Sequence, residues 1–402
     1  MIVSMKKYLI RSTAFAAVTF GLLSCFGGDK APKEELPIMA WYSIPSDETT
    51  VERYQELKDC GFNINFTHMY GMGELKKELD VAAEVGIKVM AMANDLYTKT
   101  DSAVNVIKDH PALYGYFLRD EPLPPAFADL AAWAQRIKEA DDTHAIYLNL
   151  FPSYVDSAAL GCTYREYVRR FIEEVKLPMV SFDNYPVTNE GVRQLWYENL
   201  MIIAEESEKA GLPCWAFAMS VPHWNYPVPT LASLRMQMYT NLAYGAQGLQ
   251  YFTYWTPGPE PFNYRDAPIT LDGKRSEQYY KVQEVNRELQ ARAFVFVGSK
   301  VVSLAHTGET VPPGCPALEQ LPSHVKSLST SPEGAVVSLL EKGEWNYLVV
   351  VSRSLDTPIT LNVGFDRKAW MIDREGNATK VAKGENSFTL EEGDAAIFKF
   401  RK

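Results

Sequence analysis

Eight short apolar or β-branched runs alternate with longer helical segments along most of the chain, and this alternation constrains the fold more than any other feature. The runs cover residues 38–43, 63–70, 88–94, 113–119, 145–151, 179–184, 214–220 and 248–255. Near-continuous apolar strands joined through helices imply a parallel sheet covered on both faces. The joints "KDCGFNI", "AEVGIKV", "EKAGLPC" and "AYGAQGL" place Gly61, Gly86, Gly211 and Gly245 after a helical run. Glycine there ends the helix in the left-handed conformation at low cost. In "PSDETTVERYQEL", Ser46 or Asp47 is the expected N-cap of the first helix. Eight such units close most economically into a (β/α)8 TIM barrel of about 250 residues. The alternative, an open doubly wound sheet, suits fewer strands, and no G-x-G-x-x-G follows the first run.

The last barrel helix is expected over residues 276–294. Near Val297 the helical period vanishes. Short strands separated by turns follow, with "EKGEW" and "DREGN" as hairpin turns. These features predict a small antiparallel β-sandwich. The expected organisation is a leader at 1–24, a linker at 25–36, a barrel at 37–296 and a sandwich at 297–402.

The leader reading rests on Lys6, Lys7 and Arg11 ahead of a short apolar run at 14–23 that ends in "LLSC". The run is too short to span a bilayer comfortably. It resembles a bacterial lipoprotein signal in which Cys25 becomes the lipidated first residue. The expected location is therefore the cell envelope, anchored by lipid on a periplasmic or surface face of the outer membrane. The formal charge of −10 becomes more negative without the basic leader, and no Lys/Arg-rich run occurs. This argues against nucleic acid as a partner. Cys60, Cys162, Cys214 and Cys315 are scattered without a C-x-x-C, which predicts buried thiols rather than a disulfide framework or a metal site.

In a barrel of this kind chemistry gathers at the C-terminal strand ends. Those ends carry Trp41 and Tyr42; His68 and Tyr70; Asn94 and Asp95; Arg119, Asp120 and Glu121; Asn149; Asp183, Asn184 and Tyr185; His223 and Trp224; and Trp255. Carboxylates, amides and aromatic faces together suit sugar recognition. Cleavage of a glycosidic bond needs an acid for the leaving oxygen and usually a second carboxylate. His68, His144 and His223 are too dispersed for metal-ligand spacing. There is no P-loop or G-x-S-x-G elbow. Neither metal nor cofactor is expected.

The segment "YGYFLRDEP" at the end of the fourth run resembles the Asn-Glu-Pro signature of clan A glycoside hydrolases. "DGKRSEQYYKVQEVNREL" resembles the closing helix of family 42-like barrels. The whole layout is similar to exported glycan-degrading lipoproteins of Bacteroidetes type. The resemblance implies a glycosidase with carbohydrate as substrate and Glu121 as general acid/base. Two features depart from it. Asp120 stands where the clan has asparagine, and "PCWAFAMSVPHW" on the seventh strand lacks the clan's nucleophilic glutamate.

Three arrangements follow. Asp183 is the second carboxylate, as nucleophile or base according to its distance from Glu121; or Asp120 and Glu121 act as an adjacent pair, similar to family 20 hexosaminidases; or the barrel binds glycan without cutting it. The first is the principal expectation, with catalytic Glu121 and Asp183. Asp120, Trp41, Asn94, Asn149, Tyr185, His223, Trp224 and Trp255 are then the substrate-binding set. Regular strand alternation would put Arg119 and Glu121 on one side and Asp120 on the other, whereas a departure from regular geometry at the strand tip would change this, and the sequence leaves both open.

Overall fold

A computed structural model describes residues 34–402, which form one compact unit. Cys25 and the leader lie outside the described residues. Eight parallel strands, β1 (Ile38–Trp41), β2 (Ile64–Asn65), β3 (Lys88–Ala91), β4 (Leu113–Asp120), β5 (Ala145–Asn149), β6 (Val180–Phe182), β7 (Cys214–Met219) and β8 (Gly248–Phe252), make one sheet. Its order is β5-β4-β3-β2-β1-β8-β7-β6, and a parallel bridge between Leu150 and Phe182 closes it. Helices α1 (Val51–Asp59), α2 (Met72–Val85), α3 (Thr100–Ile107), α4 (Phe127–Ala140), α5 (Tyr164–Val175), α6 (Leu195–Ala210), α7 (Leu231–Ala243) and α8 (Glu277–Ala291) follow the strands in turn. The sequence-derived TIM barrel is present.

Strand alternation explains the apolar runs. On β7, Trp215, Phe217 and Met219 point into the barrel, while Cys214, Ala216 and Ala218 join the layer beneath the helices. On β1, Met39 and Trp41 face inward, and Ile38 and Ala40 outward. Both faces are buried, so both positions are apolar. Apart from β4, the strands are shorter than the runs, because the chain leaves the sheet before each run ends. Gly86 and Gly211 end α2 and α6 in the left-handed conformation, as expected. The N-cap of α1 is Thr50, not Ser46 or Asp47: its hydroxyl accepts from the Arg53 amide, and residues 46–48 form a separate 3-10 turn. The closing helix stops at Ala291, and a short turn of helix, Ala293–Phe296, follows after Arg292.

The C-terminal strands are β9 (Lys300–His306), β10 (Val325–Ser331), β11 (Ala335–Lys342), β12 (Trp345–Ser352), β13 (Ile359–Phe365), β14 (Ala369–Ile372), β15 (Ala378–Val381), β16 (Gly384–Leu390) and β17 (Ala395–Arg401). They form a six-stranded sheet, β9-β11-β12-β17-β14-β15, and a three-stranded one, β10-β13-β16, with antiparallel pairing throughout. Val337, Leu339, Leu348 and Val350 fill the space between the two sheets. Val336, Leu340, Val349 and Val351, on the opposite face of the larger sheet, join the barrel core. The sandwich is thus packed against the barrel, which accounts for the unbroken apolar character of "NYLVVV". Among the described residues no helix is long and apolar enough to cross a membrane.

Candidate active site

The site is built on the tip of β4. Between Phe117 and Asp120 the pairing with β5 slips by one residue: Phe117 faces Tyr147, and Asp120 faces Asn149. The extra residue is a bulge, which re-aims every side chain beyond it. Glu121 then adopts a positive φ of 43°, and its amide donates to Asn149 O at 2.8 Å. A non-glycine residue in that region is uncommon and costs about 1–3 kcal/mol, which the surrounding packing must offset. As a result Asp120 and Glu121 both enter the barrel mouth, and Arg119 turns to the other side of the strand, where it lines a separate cavity. This corrects the alternation expected from a regular strand.

Asp120, Glu121 and Asp183 meet in a cavity of about 350 Å³, within the size range of small-ligand pockets. Asp183 follows β6 and is buried. The Asn149 amide donates to Asp183 Oδ1 at 2.7 Å and to Asp120 Oδ1 at 3.3 Å. Below it, Ser181 Oγ donates to Asn149 Oδ1 at 3.0 Å, and Gln250 Nε2 donates to Ser181 Oγ at 2.8 Å. Tyr147 OH closes the chain on Gln250 Oε1 at 2.5 Å. This fully buried polar network fixes the Asn149 amide and, through it, the two aspartates.

Burial comes first in setting the charges. It pushes the Glu121 carboxyl up to about 7, with the negative Asp120 adding to the rise and a hydrogen bond to Asp183 opposing it. Asp183 is also held well above the ordinary carboxylate range, by burial and then by Glu121 and Asp120. Asp120 is raised by the loss of hydration at the cavity wall, although its carboxylate stays open to the mouth. The charge of Glu121 raises the proton affinity of Asp183 further, so ionising one disfavours ionising the other.

The walls are aromatic. Trp41 lies at the floor against Phe66, Phe117 and Phe217. Tyr185, His223 and Trp224 line the sides. His223 Nδ1 lies 2.9 Å from the Val221 carbonyl, which marks it as the protonated nitrogen of the neutral ring and leaves Nε2 as an acceptor. Burial lowers the affinity of this ring for a second proton. Trp224 is 71% exposed and presents its face at the rim.

Of the sequence-predicted set, Trp41, Asp120, Glu121, Asn149, Asp183, Tyr185, His223 and Trp224 come together; Asn94 and Trp255 do not. Asn94 is exposed at the start of a five-residue helix, Asn94–Thr98, after β3 and lines the cavity that holds Arg119. Trp255 is buried below the rim, with the Arg53 guanidinium over its ring at 5.1 Å. Tyr154, Phe217, Tyr226, Phe252, Phe262 and Tyr264 complete the lining and were missed. Phe217 and Phe252 are inward-facing strand positions that alternation could have identified. Tyr154, Tyr226, Phe262 and Tyr264 sit on loops, where no periodic signal exists. Among the described residues no group of three or more His, Cys, Asp or Glu side chains is arranged to hold a metal ion.

The barrel and its appended sandwich are similar in fold to solved beta-galactosidases. The chain is similar to a beta-galactosidase from Bacillus circulans sp. alkalophilus, with a TM-score of 0.61 and 9% identity over 92% of this chain and 99% of that one. It is also similar to a GH42 beta-galactosidase from G. stearothermophilus, with a TM-score of 0.58 and 9% identity over 92% of this chain and 98% of that one. No family model and no curated protein sequence matches the chain. At such identities the likeness is one of fold.

Proposed function

We propose that the protein is a glycoside hydrolase in which Glu121 protonates the leaving oxygen and Asp183 is the nucleophile. The observation that carries this reading is the Glu121–Asp183 carboxyl pair inside an aromatic-walled cavity at the C-terminal mouth of the barrel. A general acid must hold its proton near the working pH, and a value of about 7 meets that need. With Asp183 attacking the anomeric carbon directly, the expected product retains the substrate's configuration. Asp120 binds a sugar hydroxyl and keeps Glu121 protonated. Proton NMR of the first-formed anomer tests the assignment: an inverted product overturns it.

A second reading, a surface lipoprotein that binds glycan without cleaving it, is favoured by β7. Cys214–Met219 carries no carboxylate where the resembled clan has its nucleophile. Wild type and Glu121→Gln, incubated with a glycan panel, separate the two readings. Reducing ends released by wild type alone support the enzyme; binding by both without release supports the binding protein. We also propose lipid anchoring at Cys25, tested by loss of membrane-fraction recovery and of fatty-acid labelling in Cys25→Ser.

A further inference from the structure

The bulge that brings Asp120 and Glu121 into the mouth turns Arg119 out of it. Arg119 lines a second cavity of about 530 Å³ on the other side of β4, together with Asn94, Tyr97, Asp129 and Trp133. This space also falls in the range of small-ligand pockets. It is close to the carboxylates, because Arg119 precedes Asp120 directly and successive Cα atoms are about 3.8 Å apart. The two cavities share one floor: Phe117 lines the second, and its ring lies 5.4 Å from Trp41, which lines the first.

The walls of the second cavity are held in place. Tyr97 is 61% exposed and packs edge-on against Trp133 at 5.0 Å. Trp133 Nε1 donates to Leu96 O at 3.0 Å. Arg119, by contrast, is exposed and makes no hydrogen bond or ion pair among the described residues. It is the one cationic side chain that lines either cavity. The mouth holds three carboxyl groups and no cationic side chain, so its net negative charge repels anions, and an anionic sugar needs a positive group outside it. A guanidinium supplies a planar fork of donors that fits a carboxylate or a sulfate.

We propose that this cavity is a second sugar subsite, and that Arg119 there binds the anionic group, a carboxylate or a sulfate ester, of a charged glycan. Asn94 and Asp129 bind its hydroxyls, and Tyr97 supplies a stacking face. The proposal rests on the glycosidase reading and adds to it the charge class of the substrate.

Binding is measured in the Glu121→Gln background, so that cleavage does not interfere. The probes are a neutral galactan oligosaccharide, an oligogalacturonate of the same length and an O-sulfated galactan oligosaccharide. Charge-assisted hydrogen bonds of this kind predict a roughly 10- to 100-fold weaker Kd for the anionic probe on Arg119→Ala. The loss for the neutral probe is smaller, and Arg119→Lys restores part of the affinity. An unshifted thermal midpoint for Arg119→Ala verifies folding. The anionic probe that shows the loss identifies carboxylate or sulfate as the ligand group. Anionic and neutral probes weakened equally, or neither weakened, overturn the subsite and leave the glycosidase reading standing. If none of the probes binds and wild type releases no reducing ends from any glycan, both readings fail.

Discussion

Asn149 donates a 2.7 Å hydrogen bond from its side-chain amide to Asp183 Oδ1. The bond crosses from β5 to the end of β6, and the same amide reaches Asp120 on β4. It lowers the proton affinity of both aspartates against the burial that raises it. Asn149→Ala is therefore expected to cost roughly 10- to 100-fold in kcat/KM, the loss typical of a hydrogen bond to a charged group. A merely structural role predicts only a lower rate. The positioning role predicts in addition that the acidic limb of the pH–rate profile moves to higher pH, because Asp183 must ionise without its donor.

Asp120 and Glu121 give a second pH prediction. In the proposed mechanism Glu121 acts as the protonated acid, so activity is expected to fall as pH rises through about 7. The negative Asp120 is one of the two causes of that raised value. Asp120→Asn removes the charge, so the Glu121 value drops and the alkaline limb moves to lower pH. A limb that stays in place in a kcat/KM profile of the variant would show that Asp120 does not tune the acid.

The barrel was legible because its strands are buried on both faces and its helices end in glycine: β7 and the Gly211 stop of α6 read directly from sequence. The tip of β4 was not. Alternation by two in a regular strand would put Arg119 beside Glu121, and one inserted residue places them apart. Bulges leave no periodic trace, since they depend on how the neighbouring strand is registered. Trp255 illustrates a different limit. It stands at the end of an apolar run, yet β8 ends at Phe252, so the side chain belongs to packing beneath the loops. Phe262 and Tyr264 are the converse, loop aromatics brought to the mouth by tertiary structure alone.

Trp224 offers a test of the rim. It has a positive φ of 42°, its amide donates to Phe262 O at 2.9 Å, and most of its ring is free. In the proposed glycosidase a platform at that position would contact sugar in the ground state and the transition state alike. Trp224→Ala is expected to raise KM about 3- to 10-fold, from roughly 0.5–1.5 kcal/mol of aromatic contact, with a much smaller change in kcat. Steady-state kinetics on an oligosaccharide long enough to reach the rim checks this. An equal fall in kcat would instead tie Trp224 to the reacting centre.

Glu78, far from the mouth, sets a pH dependence of stability. It lies on α2, fully buried, where Asn65 Nδ2 donates to its Oε1 at 2.6 Å and Tyr54 OH donates to the same atom at 3.3 Å. Burial pushes its carboxyl up to about 8 from an ordinary value of 4.5, and the two hydrogen bonds only partly oppose the shift. The folded state thus holds a proton that the unfolded chain releases. A carboxyl raised on folding contributes its full stability below the unfolded value and loses it as pH rises through the folded one. Between pH 4.5 and about 8 this group makes the fold progressively less stable. Glu78→Gln retains an oxygen that can accept both hydrogen bonds and cannot ionise. Thermal midpoints measured from pH 5 to 9 should therefore fall less steeply for the variant than for wild type, with the largest gap at the alkaline end. Parallel curves would mean that Glu78 is neutralised by some other route than the buried proton.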